Sequence, residues 1–345
     1  MKAFSEYMHA WLYGENGYYT KFRTIGKEGD FYTAVSSSMF FGGAIANRLI
    51  EVIEEGFLPR TTAVVEIGAH QGYLLADMVQ FVYTLRPKLL ETLRFVIVEP
   101  QPQNRRAQKK YFDEAFGGAV ALEVYEDLSQ VHEESAFVVA NEIFDAFACE
   151  LVKGDQMLYA GENHTFSFGA QDAYTKEIVT RYGLQKGEVA RGYEAFAQAM
   201  ASAFGCYEFV TFDYGDLQPR PDFSIRLYHK HQTFPFFALT DFVEAGEEKP
   251  AGLTLAQLCC ESDITYDVHF THLIDAYKAS GATLHSYRTQ LAMLVNFGII
   301  TLLDMLRQHA GQKSYQAELN RAKMLINPTF MGERFKGVIF RKGNT

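Results

Sequence analysis

Gly68 and Gly72, four residues apart, separate a short apolar run from a helical pattern in "AVVEIGAHQGYLLADMV". Glycine lets the chain turn sharply and lets a ligand approach the backbone, while the following helix directs its first N–H groups to the same place. The spacing is G-x-x-x-G and not the G-x-G-x-x-G of dinucleotide loops, so it does not signal a gripped pyrophosphate. Glu66, two residues before the first glycine, suits a cationic, amino-acid-like ligand. Glu99 closes the apolar run "VIVEP", where a carboxylate can accept hydrogen bonds from the vicinal hydroxyls of a ribose. "YEDL" offers Asp127 to an adenine amino group and Leu128 as an apolar floor. "VVANEIFDAF" brings Asn141, Glu142 and Asp145 to the end of another buried run, beside Phe144 and Phe147. Polar groups in that position either line a site or cap the next helix.

These residues need strands and helices to carry them. From Thr61 the runs "TAVVEIG", "LRFVIVE", "AVALEVY" and "SAFVVAN" alternate with helical stretches. Apolar, β-branched runs separated by helices imply a parallel sheet covered on both faces, a doubly wound α/β core. "CYEFVTFDYGD" resumes the core, followed by a helix over 267–280, the strand "ATLHSYR", helices to about Ile326 and a last strand "FKGVIFRK". Between them, "ELVKGDQMLYAGENHTFSFGA" reads as an antiparallel hairpin, with helices expected at 171–183 and 188–203. The expected organisation is a helical N-terminal region with a lid over 1–57, and a core over 58–149, 204–216 and 261–345. Insertions over 150–203 and 217–260 would form a substrate-side subdomain.

The chain has 345 residues, 48% of them hydrophobic, enough for a sizeable core. Its net charge of −10 disfavours nucleic acid as a partner. The dense basic run "NRRAQKK" reads as the solvated face of a surface helix. Cys149, Cys206, Cys259 and Cys260 have no C-x-x-C spacing, which argues against zinc and against a disulfide framework. With no apolar run long enough to span a membrane and no apolar core of a signal peptide, a cytoplasmic, unanchored protein without a metal is expected.

The succession "GDFYTA", "FFGGAIAN", "VVEIGAHQGYLLADM", "IVEPQPQNRRAQKK", "VVANEIFDAF", "FDYGD", "SDITYDVHF" and "MGERFK" resembles the MidA-like methyltransferases, the family of the mitochondrial complex I assembly arginine methyltransferase. The resemblance runs from about Tyr7 to Lys336, with the eight motifs in the family's order. The resemblance implies S-adenosylmethionine as cofactor and a class I methyltransferase core of seven strands with a reversed last hairpin. It implies that Glu66, Gly68, Ala69 and Gly72 line the methionine part, that Glu99 holds the ribose, that Asp127 and Leu128 flank the adenine and that Asn141 sits by the sulfonium. The segment Gly29 to Thr33 would close over the cofactor, with Gly29 and Thr33 touching it.

The family's activity is protein arginine methylation, which implies a protein substrate; a homodimer is compatible with it. A guanidinium is a poor nucleophile while charged, so carboxylates must orient it and help remove a proton. Asp30, Glu142, Asp145 and Asp213 are the candidate acids, and His269 in "DVHF" a candidate proton acceptor or a buried core histidine. The chain departs from the family in carrying His70 where a further glycine is usual, Ala34, Val35 and Ser36 in the lid, and Leu227 between Arg226 and Tyr228. His70 is expected either to project near the cofactor's path or to sit in a strained backbone. A non-catalytic assembly factor on the same scaffold is the alternative function, and an NAD-dependent oxidoreductase the weaker one.

Overall fold

In the computed structural model, which describes residues 1–21, 33–242 and 252–343, the chain separates into two compact units. One comprises 33–143, 194–214 and 274–345; the other comprises 1–32, 144–193 and 215–273.

The larger unit is built on seven strands: β1 (Ala63–Ile67), β2 (Arg94–Val98), β3 (Leu122–Tyr125), β4 (Glu133–Asn141), β5 (Phe204–Asp216), β6 (Thr283–Thr289) and β7 (Phe335–Lys342). Their order across the sheet is β6-β7-β5-β4-β1-β2-β3. The five strands from β5 to β3 are parallel, and β7 is antiparallel to both β5 and β6. β1 is buried along its length and β2 from Phe95 onward because both faces are covered, which is why 63–65 and 95–98 read as apolar runs rather than alternating ones. Strand order reverses between β1 and β4, which places a crevice beyond their carboxyl ends.

Helix α1 (Phe40–Glu54) and helix α2 (Tyr73–Leu85) pack closely through the "GG" of "FFGGAIAN". A Cβ on Gly42 would come within 2.6 Å of the Asp77 Cβ, and one on Gly43 within 2.7 Å of the Phe81 ring. At the other end of β5, fully buried Glu208 takes Arg48 Nε at 2.8 Å and Arg341 Nε at 2.6 Å, tying α1 to β5 and β7.

The smaller unit contains an antiparallel sheet of Lys2–Ala3, Cys149–Lys153, Gln156–Ala160, Phe166–Ala170 and Lys186–Ala190, and a three-stranded sheet of Arg226–His229, Gln232–Pro235 and Asp263–Thr265. Two expectations are corrected here. Residues 186–190 form a strand paired with Cys149–Lys153, and the helix expected from 188 starts at Tyr193. The hairpin expected after Asn141 has Phe166–Ala170 as a third strand and Lys2–Ala3 as a further partner.

Candidate functional site

At the carboxyl edge of the larger unit's sheet the ladder runs one residue past three strands. Gly68 N donates to Val98 O at 3.0 Å, Glu99 N to Tyr125 O at 2.9 Å and Glu142 N to Phe212 O at 2.9 Å. Gly68, Glu99 and Glu142 are thereby fixed at the ends of β1, β2 and β4, the places where sequence reasoning put a ligand.

The turn after β1 has two left-handed glycines, Gly68 at φ +72° and Gly72 at φ +80°, and between them His70 at φ +48°. The strained backbone expected for His70 is observed. Two side chains from outside the turn hold it. The His70 N–H donates to the Glu99 carboxylate, and the His70 carbonyl accepts from Gln108 Nε2 at 2.9 Å. Gly68 is exposed, and a Cβ there would approach Ile143 Cγ2 to 3.0 Å, so the backbone surface at 68 is kept bare.

Glu66 is buried beneath this turn, where its Oε2 accepts from Leu75 N in the first turn of α2 at 3.0 Å. Burial pushes its carboxyl up to about 8, with the nearby Asp77 and Glu99 adding to the shift and the Leu75 N–H opposing it. Asp77 is likewise raised to about 7, by burial and then by Glu318. Glu99 is raised by burial, against the pull of the Gln101 N–H at 2.9 Å, Asn104 and the His70 N–H. A carboxylate offers about four lone-pair sites. Three donors already meet that of Glu99, so the structure narrows the expected pair of ribose hydrogen bonds to about one.

Ala69 is buried beside Gly68, and Leu128 is buried at the end of β3. The Asp127 side chain accepts from Ser129 N at 2.8 Å and caps the turn that Leu128 begins; the Ser129 hydroxyl first, and then that N–H, hold its carboxyl below the usual range. Asn141 Nδ2 donates to Glu142 Oε1 at 2.8 Å, while the buried Asn141 Oδ1 has no hydrogen-bond partner among the described residues. Glu142, at φ +52°, also accepts from Ala34 N at 3.2 Å. Thr33 caps the short helix Ala34–Ser37 reciprocally with Ser36, which gives the unusual lid sequence a local structure. Gly29 and Asp30 lie outside the described residues.

Asp213 is fully buried in β5 with its Oδ1 on Tyr214 N at 2.8 Å; Tyr214 meets the Phe335 ring edge-on and carries Arg334 over its own ring. Thus Glu66, Gly68, Ala69, Gly72, Glu99, Asp127, Leu128, Asn141, Glu142, Asp213 and Thr33 belong to one unit. Asp145 and His269 belong to the other. There Asp145 is buried in the turn Phe144–Ala146, its carbonyl accepting from Tyr266 N at 3.2 Å, and His269 packs edge-on against Tyr182 at 4.8 Å. Arg226 is also buried there, on Asp267 at 2.7 Å and Tyr228 Oη at 3.1 Å.

Asn104 and Gln108 were missed as site supports. They lie inside "NRRAQKK", yet Asn104 is 6% exposed and Gln108 is fully buried. Their i, i+4 spacing, with basic residues elsewhere on the helix, was the available signal for one inward polar stripe.

The bare backbone at Gly68, the N-terminus of α2, the acid at the end of β2 and the unmatched acceptor of Asn141 fit a nucleoside that carries a cationic amino-acid tail. Seven strands with a reversed last hairpin, and a glycine turn after the first, define a class I methyltransferase. The chain belongs to the S-adenosyl-L-methionine-dependent methyltransferase family whose model matches residues 44–288, a family of MidA-like enzymes, and its cofactor is S-adenosylmethionine. It is 24% identical over 374 residues to a Xenopus laevis protein named protein arginine methyltransferase NDUFAF7, mitochondrial, covering 96% of this chain and 79% of that one. The Mus musculus protein of the same name is 26% identical over 357 residues, covering 92% and 76%. The fold is shared with a Burkholderia thailandensis protein crystallised bound to S-adenosyl-homocysteine, at a TM-score of 0.80 and 22% identity, over 99% of this chain and 88% of that one.

Proposed function

We propose that the protein methylates an arginine side chain of a protein substrate. The observation that carries this reading is Glu142, whose carboxylate ends β4 in a left-handed backbone and is anchored by Asn141. Non-glycine residues keep such conformations where the surrounding structure enforces them, commonly at functional sites. The names of the NDUFAF7 relatives support the same acceptor, and the net charge of −10 supports a protein rather than a nucleic acid.

On this reading the turn Gly68 to Gly72, with Glu66 buried beneath it, holds the methionine end of the cofactor. Glu99 takes a ribose hydroxyl, and Asp127 and Leu128 bound the adenine. The cofactor, when bound, supplies an electrophilic methyl group. The protein's own task is to orient an incoming guanidinium and accept its proton. Glu142 performs it, since a carboxylate pairs with a guanidinium through two parallel hydrogen bonds and lowers the cost of losing the proton. Asn141 fixes the rotamer of that carboxylate through its Nδ2.

The experiment is a proteome comparison between a strain lacking the protein and its parent, with the purified protein and labelled cofactor then applied to the candidates. Loss of a methyl-arginine restored by the wild-type protein, and not by Glu142→Gln, is the expected result. An unchanged set of methyl-arginines, with label found on another residue type, overturns the arginine assignment.

A further inference from the structure

The smaller unit holds a cavity of about 420 Å³. Lys2, Tyr7, Trp11, His164, Cys259 and Cys260 line it. Tyr7 Oη and His164 Nδ1 are hydrogen-bonded at 2.7 Å, and the Lys2 ammonium lies 5.6 Å from the Tyr7 ring centre. Two adjacent residues of an extended chain point in opposite directions. Here Cys260 has φ +60°, and the bend brings both thiols to one cavity with their sulfurs 3.7 Å apart. Asn163 and His164, on the facing wall, are also left-handed, at φ +54° and +56°. Three of the described non-glycine residues with positive φ thus border this one cavity, a concentration of strain that marks functional sites more often than plain walls.

We propose that Cys259 and Cys260 form a thiol–disulfide exchange site for low-molecular-weight disulfides that enter this cavity. The Cys260 sulfur, as thiolate, attacks one sulfur of the incoming disulfide, forming a mixed disulfide and releasing one thiolate, which takes up a proton. Cys259 then gives up its proton, attacks the Cys260 sulfur and releases the second thiol. The two cysteines are oxidised to one disulfide, and the incoming disulfide is reduced to two thiols. The order follows from the site. Burial, and then the neighbouring Cys260, raise the Cys259 thiol, which is therefore assigned the second step. Lys2 gives the cavity a positive charge that suits a disulfide bearing carboxylates.

The test is incubation of the full-length protein with oxidised glutathione, followed by mass spectrometry of the peptide carrying both cysteines. Buried Cys149 and Cys206 serve as internal controls. The expected product has lost the mass of two hydrogen atoms and carries no glutathione, and dithiothreitol reverses it. Cys259→Ser is expected to accumulate one glutathione on Cys260, and Cys260→Ser to react at least tenfold more slowly. Two unmodified thiols under conditions that oxidise free cysteine, or two glutathiones on one peptide, overturn the proposal. Undiminished reaction of Cys260→Ser overturns the assigned order.

Discussion

The His70 N–H donates to the carboxylate of Glu99, joining the turn after β1 to the end of β2. His70 therefore sits in a held left-handed backbone, clamped on its other side by Gln108. Glu99 acts in two ways on this account, as a ligand group and as the clamp of the turn. Glu99→Ala is expected to weaken S-adenosylmethionine binding by roughly 1.5 to 3 kcal/mol, the scale of losing hydrogen bonds to a charged group. Equal affinity in a titration of both proteins would remove Glu99 from the site.

Gly68→Ala tests the bare backbone. The alanine would have to keep φ near +72° with its Cβ about 3.0 Å from Ile143 Cγ2, so a stability loss of roughly 1 to 3 kcal/mol is expected in urea unfolding. Cofactor affinity should fall further than stability does, because the added methyl stands where the ligand approaches.

Glu66 makes stability depend on pH in a definite direction. Its carboxyl lies at about 8 in the folded protein against an ordinary 4.5, so between these values the unfolded chain has released a proton that the folded one keeps. Folding stability on account of this group is full below 4.5 and falls as pH rises toward 8. Glu66→Gln retains an acceptor for the Leu75 N–H and is expected to flatten the decline in melting temperature over that window. A decline as steep in the variant as in the parent would place the cause elsewhere, Asp77 first.

Asn141→Ala separates binding from folding. The Oδ1 atom has no partner among the described residues, so only the Nδ2 bond to Glu142 is lost, about 1 kcal/mol of stability. Methyl transfer is expected to fall by more than tenfold, since Glu142 loses its anchor. A parallel fall of about 1 kcal/mol in both quantities would make Asn141 merely structural.

Much of the larger unit was legible because its strands are buried on both faces and bounded by glycine turns; β1, β2, β4, β5 and β7 all appear where apolar runs predicted them. The strand at 186–190 was not, because "KGEVA" carries Gly187 and the half-buried Glu188, with Val189 its single β-branched residue, and its pairing with Cys149–Lys153 is a tertiary matter. Glu188 is satisfied by Ser224 N, Ser224 Oγ and Ile225 N, partners nearly forty residues away that no local pattern announces. In the same way the types and spacing of Glu66, Gly68 and Glu99 were readable, whereas the clamps on His70 depend on which side of a helix faces inward.

The most direct measurement is calorimetric titration of the full-length protein with S-adenosylmethionine, run beside Glu99→Ala and a melting curve for each. Saturable binding to the parent, one cofactor per chain, with tenfold or weaker affinity in the equally folded variant, is the predicted result. A well-folded parent that gives no binding heat at millimolar cofactor would contradict the account at its centre.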